Sequence, residues 1–137
     1  MRRRAILSAL APALALALAA PPAAHAAEKA EKKKGGGASY IQIQALTATT
    51  NAAGGRRGVL TVETGVDIPD GGLRAFCEAS LPRLRAAYVQ VVQTYAAGLA
   101  PLTPPNADFL ARELQRETDR VLGRRGARLL LGAILVS

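Results

Sequence analysis

An alternation of apolar and polar residues near position 40 predicts the first β-strand. Over residues 40–46, Ile41, Ile43 and Ala45 fall on one side of an extended chain, and two glutamines fall on the other. A period of two is typical of a half-buried strand. The residues that follow, 47–58, are rich in glycine and predict a loop too long for a tight hairpin.

A second strand is predicted over residues 60–68, where the pattern is cleaner. The apolar residues and Thr64 share one face, and Glu63 and Asp67 lie on the other. A slip of one residue would bury both carboxylates, so we expect a well-specified pairing with the first strand. A Pro-Asp-Gly-Gly turn at 69–72 ends this strand.

From residue 73 the apolar residues recur at steps of three and four, which predicts helices. The stripe comprises Leu73, Phe76, Cys77, Leu81, Leu84, Tyr88, Val91, Val92 and Tyr95. Pro82 would break a continuous helix, because it lacks a backbone N–H and its ring clashes with the preceding turn. Ser80 is a favourable N-cap, so we expect a short helix over 73–79 and a longer one that restarts near Leu81, or one kinked helix.

A last helix is predicted to begin at the capping residue Asn106 and to end at Gly123. Its apolar stripe comprises Phe109, Leu110, Leu114, Val121 and Leu122, while Glu117 and Arg120 can pair on its polar side. The run 129–136 is apolar throughout, too short to span a membrane, and typical of a central strand. We expect removal of this strand to unfold the domain.

The order strand, strand, helix, helix, strand predicts an α+β domain over residues 39–137. We expect a small antiparallel sheet with the helices packed on one face. Half of the residues are hydrophobic but only 4% are aromatic, so the core should be aliphatic.

The first 26 residues have the pattern of a secretory signal peptide. Arg2, Arg3 and Arg4 precede an apolar run over 5–20, and the small residues around His25 form a signal-peptidase site. We expect export to the periplasm with cleavage near Ala26; the alternative is an uncleaved anchor in the inner membrane. The paired arginines also resemble a twin-arginine signal, which leaves the export route open.

Residues 27–38 form a charged and glycine-rich linker in which Lys32, Lys33 and Lys34 precede three glycines. The simpler interpretation is a solvated spacer. The other is a weak contact of these lysines with an anionic membrane, worth ~1 kcal/mol for each residue near the surface and screened by salt.

Composition and charge exclude several classes of function. The chain has a formal charge of +8; removing the three N-terminal arginines from 18 basic residues leaves 15 against 10 acidic ones, or +5. Cleavage also removes His25, the single histidine, and with it Ser-His-Asp or Cys-His chemistry. Cys77, the single cysteine, is expected to be buried; an intermolecular disulfide is the other interpretation. Basic and aromatic residues do not interleave, so we expect no nucleic-acid partner.

Three carboxylates in or after the second strand are the candidates for chemistry. Glu63 and Asp67 lie on its predicted solvent face and Asp70 lies in a turn, which favours roles in solubility and turn formation. The alternative is a small ligand-binding, cation-binding or enzymatic module that uses Glu63, Asp67 and Asp70. We expect no catalytic residue, cofactor or metal site.

Four sequence features together resemble one known family. They are the opening Tyr40-Ile41-Gln42-Ile43, the strand end Val66-Asp67-Ile68, the helical Leu81-Pro82-Arg83-Leu84-Arg85-Ala86-Ala87, and a last helix over 110–123 that leads into a hydrophobic strand. The third is similar to a P-x-hydrophobic-R-D-A stretch. Residues 40–137 resemble the periplasmic domain of the flagellar basal-body-associated FliL family, whose fold is similar to the stomatin/prohibitin domain.

The resemblance implies a non-catalytic protein that self-associates or binds a protein of the envelope or the flagellar motor. This chain departs from the family at three points. FliL proteins keep an N-terminal membrane anchor where this chain has a predicted removable signal, and the family's Asp is Ala86 here. The family's final strand usually has aromatic and polar residues where this chain has Leu129-Leu130-Leu131-Gly132-Ala133. The first departure leaves the role at the motor open.

Overall fold

The computed structural model describes residues 37–51 and 53–137. The expected signal peptide, most of the expected linker, and Lys32, Lys33 and Lys34 lie outside the described residues. The elements are β1 (Tyr40–Asn51), a 3-10 turn (Ala53–Gly55), β2 (Arg57–Asp67), α1 (Gly71–Ala79), α2 (Leu81–Gly98), α3 (Ala107–Leu122) and β3 (Arg128–Val136). The three strands form one antiparallel sheet in the order β1-β2-β3. The predicted α+β fold class is confirmed.

β2 is the central strand, because both of the other strands pair with it. Its alternation is as predicted: Leu60, Val62 and Val66 are fully buried, whereas Glu63 is exposed. The helices cover the buried face, with α2 packed against β1 and α3 packed against β3. The sheet therefore has one covered face and one outer face.

β1 is longer than predicted and contains a β-bulge. Its register with β2 shifts between Ile43 and Leu46, so that Leu46 is buried and Ala45 is exposed. The prediction that Ala45 shares the buried face is wrong, because the bulge inserts one residue and reverses the alternation. Beyond the bulge the strand continues to Asn51, and β2 begins at Arg57, so the bounds predicted for the loop, 47–58, are too wide. The threonines of this stretch are β-branched and suit a pleated strand.

The helix starts follow from polar side chains that accept backbone hydrogen bonds. Asp70 accepts the N–H of Leu73 at 2.7 Å and caps α1, and Asn106 accepts the N–H of Phe109 at 3.0 Å and caps α3. Gly123 ends α3 in the left-handed conformation, with φ 72°. The predicted limits of α3 are confirmed.

The predicted break near Pro82 is confirmed as well, and it separates α1 from α2. We expected the Ser80 side chain to cap α2, but it makes no capping hydrogen bond. The backbone N–H of Ser80 instead donates to the carbonyls of Phe76 and Cys77, which closes α1. Phe76 was expected in the apolar stripe but is largely exposed.

β3 is an edge strand, and the prediction of a central strand is wrong. Within the described residues it pairs only with β2, and its distal side chains Leu135 and Val136 are 62% and 48% exposed. Apolar residues on both faces of a strand indicate two covering layers, but among the described residues the helices cover one face of the sheet. Removal of β3 would therefore strip one edge of the sheet rather than its centre.

One buried hydrogen-bond network links α2 to α3 through the aliphatic core. The hydroxyls of Tyr88 and Thr118 are hydrogen-bonded, and Thr118 donates to the carbonyl of Leu114 at 2.7 Å. A threonine hydroxyl has one proton, so Tyr88 is the donor to Thr118. Burial raises the pKa of Tyr88 far above its usual range, so the hydroxyl stays protonated.

The direction of these hydrogen bonds predicts unequal costs for two conservative substitutions. Thr118→Val should lower the free energy of unfolding by about 1–3 kcal/mol, because the buried Tyr88 hydroxyl loses its acceptor. Tyr88→Phe leaves Thr118 bonded to Leu114 and should cost about 0.5–1.5 kcal/mol. Urea denaturation of both variants measures the difference, and a larger cost for Tyr88→Phe would contradict the assigned direction.

Candidate interaction surface

The structure does not bring the candidate carboxylates together. Glu63 and Asp67 are four residues apart on one face of β2, which separates them by about 13 Å along the strand. Asp67 accepts a hydrogen bond from the Ser39 hydroxyl at 2.5 Å and lies 3.7 Å from the Arg128 guanidinium. It therefore joins the start of β1 and the start of β3 to the end of β2.

Asp70 also has a structural role. Besides capping α1, its carboxylate lies 3.2 Å from the guanidinium of Arg124. Across residues 37–51 and 53–137, no three His, Cys, Asp or Glu side chains form a group that could hold a metal ion. The geometry gives no support to a ligand-binding or enzymatic module based on Glu63, Asp67 and Asp70.

The Cys77 thiol is fully buried in the core, as expected. Burial raises its pKa, and the neighbouring charge of Glu78 raises it further. A raised pKa keeps the thiol protonated, and a protonated thiol is a poor nucleophile.

We expect the thiol reagent DTNB to label Cys77 far more slowly in the native protein than in urea, because labelling requires the core to open. Gln44→Cys, which adds an exposed thiol on β1, is the matched control and should react at once. Absorbance at 412 nm follows both reactions. Rapid labelling of native Cys77 would contradict the buried position.

An open groove of about 840 Å³ runs between α2 and α3. The rings of Tyr95 and Phe109 stack along it with centroids 5.7 Å apart, and the Asn106 N–H donates to the Tyr95 hydroxyl at 2.6 Å. Phe109 was expected in the core but is 40% exposed here. Glu113 and Glu117 also line the groove, and each is paired with an arginine three residues on. Since these charges are already paired, the groove indicates no particular ligand.

The exposed side chains of the two edge strands are polar on β1 and apolar on β3. Gln42 and Gln44 are exposed on β1. On β3, Leu135 and Val136 are exposed, and Val59 of β2, diagonal to Leu135, is 43% exposed. The two edges of the sheet therefore differ in chemistry.

The backbone groups of β3 point alternately towards β2 and away from it. Ser137 exchanges two hydrogen bonds with β2, at 2.9 and 3.0 Å, so alternation directs the groups of Val136 and Ile134 outward. A bulge opposite Glu63 shifts the alternation. Beyond the bulge, the backbone groups of Leu131 and Leu129 point away from β2. These outward groups form the hydrogen-bonding edge of the sheet.

Gln115 of α3 occupies the beginning of this edge. Its Oε1 accepts the N–H of Leu129 at 2.8 Å, and its Nε2 donates to the carbonyl of Ala127 at 2.8 Å and to Asp119 at 3.0 Å. The side-chain amide thus takes the place of a neighbouring strand. No hydrogen bond from the described part of the chain reaches the outward groups of residues 131–136. We call residues 130–136 the open edge.

Sequence reasoning missed both the open edge and its cap. The signal for the open edge was the uninterrupted apolar run, which we interpreted as burial by the chain itself. Gln115 gave no signal, because a glutamine on the polar side of a helix is unremarkable until the fold brings β3 beside it.

Comparison with known proteins identifies no relative of this chain: no family model matches it and no curated protein is significantly similar. No helix in residues 37–51 and 53–137 is long and apolar enough to cross a membrane. The open edge is the surface whose chemistry is best defined by the fold.

Gln115→Ala should lower the free energy of unfolding by about 1–3 kcal/mol, because the Leu129 N–H and the Ala127 carbonyl lose their partners. Gln93→Ala replaces an exposed glutamine of α2 and should change stability by less than about 0.5 kcal/mol. Urea denaturation compares the two. Equal effects would contradict the capping role of Gln115.

Proposed function

We propose that this is an exported, non-catalytic interaction protein, similar to the FliL family, that binds a protein of the cell envelope through the open edge of β3. The observation that carries the proposal is an apolar edge strand whose backbone groups are satisfied at its start by Gln115 and left open beyond it. The signal-like N-terminus and the four FliL-like sequence features support the periplasmic setting.

Strand addition accounts for the binding energy at such an edge. Each backbone hydrogen bond to an added strand contributes about 0.5–1.5 kcal/mol net. Burial of Leu135 and Val136 adds a hydrophobic contribution, at about 25 cal/mol for each Å² of apolar surface removed from water. The pattern of side chains on alternate faces then selects the partner.

An unprotected edge carries a risk of aggregation, which proteins usually suppress. Charged residues, prolines, β-bulges and covering loops are the common protections, and of these β3 has a bulge at Gly132 and Ala133. Residues 129–136 of β3 contain neither a charge nor a proline. Retention of an apolar edge strand is accounted for if another protein covers it.

The resemblance to FliL supports a partner in the flagellar motor or elsewhere in the envelope, including a second copy of the chain. Weak contact of Lys32, Lys33 and Lys34 with anionic lipid would add to such an assembly. The alternative of a membrane-anchored form leaves the edge in the same compartment and changes only its distance from the membrane.

A photo-crosslinking amino acid at Leu135, introduced in the bacterium that encodes the protein, should give adducts with an envelope or motor protein or with the chain itself. The same amino acid at Gln44, exposed on the polar edge strand, is the matched control and should give none. Mass spectrometry of the adducts identifies the partner.

Deletion of the gene should reduce swimming if the partner belongs to the motor. The native gene and a Gln44→Lys variant should restore it, and Leu135→Lys should not. Adducts absent at Leu135, or equal at both positions, would overturn the proposal. Normal swimming after deletion would overturn the motor assignment alone.

A further inference from the structure

We infer that the open edge pairs with the open edge of a second copy of this chain, antiparallel and about a twofold axis, to form one sheet with three strands from each copy. This inference rests on the proposed function and names its partner. β3 has apolar side chains on both faces, and within the described residues it has one neighbouring strand. A second β3 supplies another neighbour.

The side-chain pattern of β3 is symmetric about its bulge. Before the bulge, the residues paired with buried positions of β2 are Leu129 and Leu131; after it, they are Ile134 and Val136. Gly132 and Ala133 together lie opposite one residue of β2, so we count them as one position. With that count, the order of inner-face and outer-face residues is the same whether β3 is followed from its first residue or from its last. An antiparallel copy can therefore match every residue with one on the same face.

This symmetry fixes the register of the pair. Leu131 lies opposite the partner's Ile134 and exchanges two backbone hydrogen bonds with it, because both residues direct these groups outward. Leu130 lies opposite the partner's Leu135 on the outer face, as a pair without hydrogen bonds. The twofold axis passes through the bulge, so each half of the strand remains regular.

The charges along β3 agree with this pairing. Arg128 is the only ionisable residue of the strand, and it stands at one end, close to Asp67 of its own chain. The twofold axis places the two copies of Arg128 at opposite ends of the paired strands. No like charges face each other, whereas a parallel pair would bring the two arginines together.

Gln115 sets the length of the pair. It already holds the Leu129 N–H, so the added strand ends where this cap begins. The second copy carries the same cap, which ends the pairing at the other side. Residues 130–135 of the two copies therefore pair with each other, and Val136 lies opposite the partner's Leu129, whose N–H is already bound.

The other edge of the sheet is a poorer partner. β1 presents the exposed polar residues Gln42, Gln44, Thr47 and Thr49 on the outer face. Pairing β3 of one copy with β1 of the next would set Leu130 and Leu135 beside these groups and would generate a ring or an open filament rather than a twofold dimer. The twofold pair matches apolar residues and closes.

Paired cysteines in the chain produced in intact cells test the register directly. Leu130→Cys with Leu135→Cys should yield a disulfide-linked dimer on a non-reducing gel, because non-hydrogen-bonded antiparallel pairs bring Cα atoms to about 4.5 Å. Within one chain these positions are roughly 16 Å apart, too far for a disulfide. Either cysteine alone should give at least about tenfold less dimer, because neither lies opposite itself.

Measurements of solution mass on the native protein and on variants with charged substitutions test the same pair without crosslinking. Under reducing conditions the protein purified from these cells should have twice the mass of a single chain. Leu135→Lys should weaken the dimer at least about tenfold, and Gln44→Lys should leave it unchanged. Adding Leu130→Glu to Leu135→Lys should restore dimerisation, because each new lysine then faces a glutamate of the other copy.

A monomer at all concentrations, or a double-cysteine chain that crosslinks no better than the single variants, overturns this inference. If the photo-crosslinker at Leu135 then captures an identified envelope protein, the proposed function stands with a different partner. If it captures nothing, both fail.

Discussion

The backbone groups along the outer edge of β3 are the constraint on which the surface chemistry of this protein depends. A three-stranded sheet has two edges, and every outward N–H and C=O on them needs a partner in protein or water. The chain satisfies the start of β3 with the amide of Gln115, which binds a carbonyl and an N–H two residues apart as a strand would. The rest of that edge combines open backbone groups with apolar side chains. Water can form hydrogen bonds with the backbone groups, but exposure of the apolar side chains to water is unfavourable.

Local pattern was sufficient where one residue type has one dominant role. The alternation in β2 predicted its faces, because any other register would bury Glu63 and Asp67. Asn106 and Gly123 predicted the limits of α3, and Pro82 predicted the break before α2, since capping and the missing proline N–H act within one turn. These signals are local in the sequence and depend little on the rest of the fold.

The misses have a common physical origin in contacts between distant segments. The bulge in β1 depends on how that strand pairs with β2, so the period of two alone could not exclude Ala45 from the core. Tyr95 and Phe109 fall on apolar stripes, but the stripes do not show that these rings line a groove between α2 and α3. Of the candidate site, the outward position of Glu63 and the burial of Cys77 were predictable. The cap by Gln115 was not, because it joins residues 12 and 14 positions apart.

The error about β3 is informative in itself. An apolar run on both faces of a strand reports how much surface the sequence requires to be covered, and it does not report which chain provides the cover. Two descriptions of β3 then disagree: its side chains are apolar on both faces, and within the described residues it is an edge strand with exposed apolar side chains. The twofold pair that we infer would set Leu130 and Leu135 against each other across the two copies and so cover part of this surface. The groove between α2 and α3 has no comparable mismatch, since its charges are paired and its aromatic rings already stack on each other. The open edge is therefore the surface on which the proposed pairing rests.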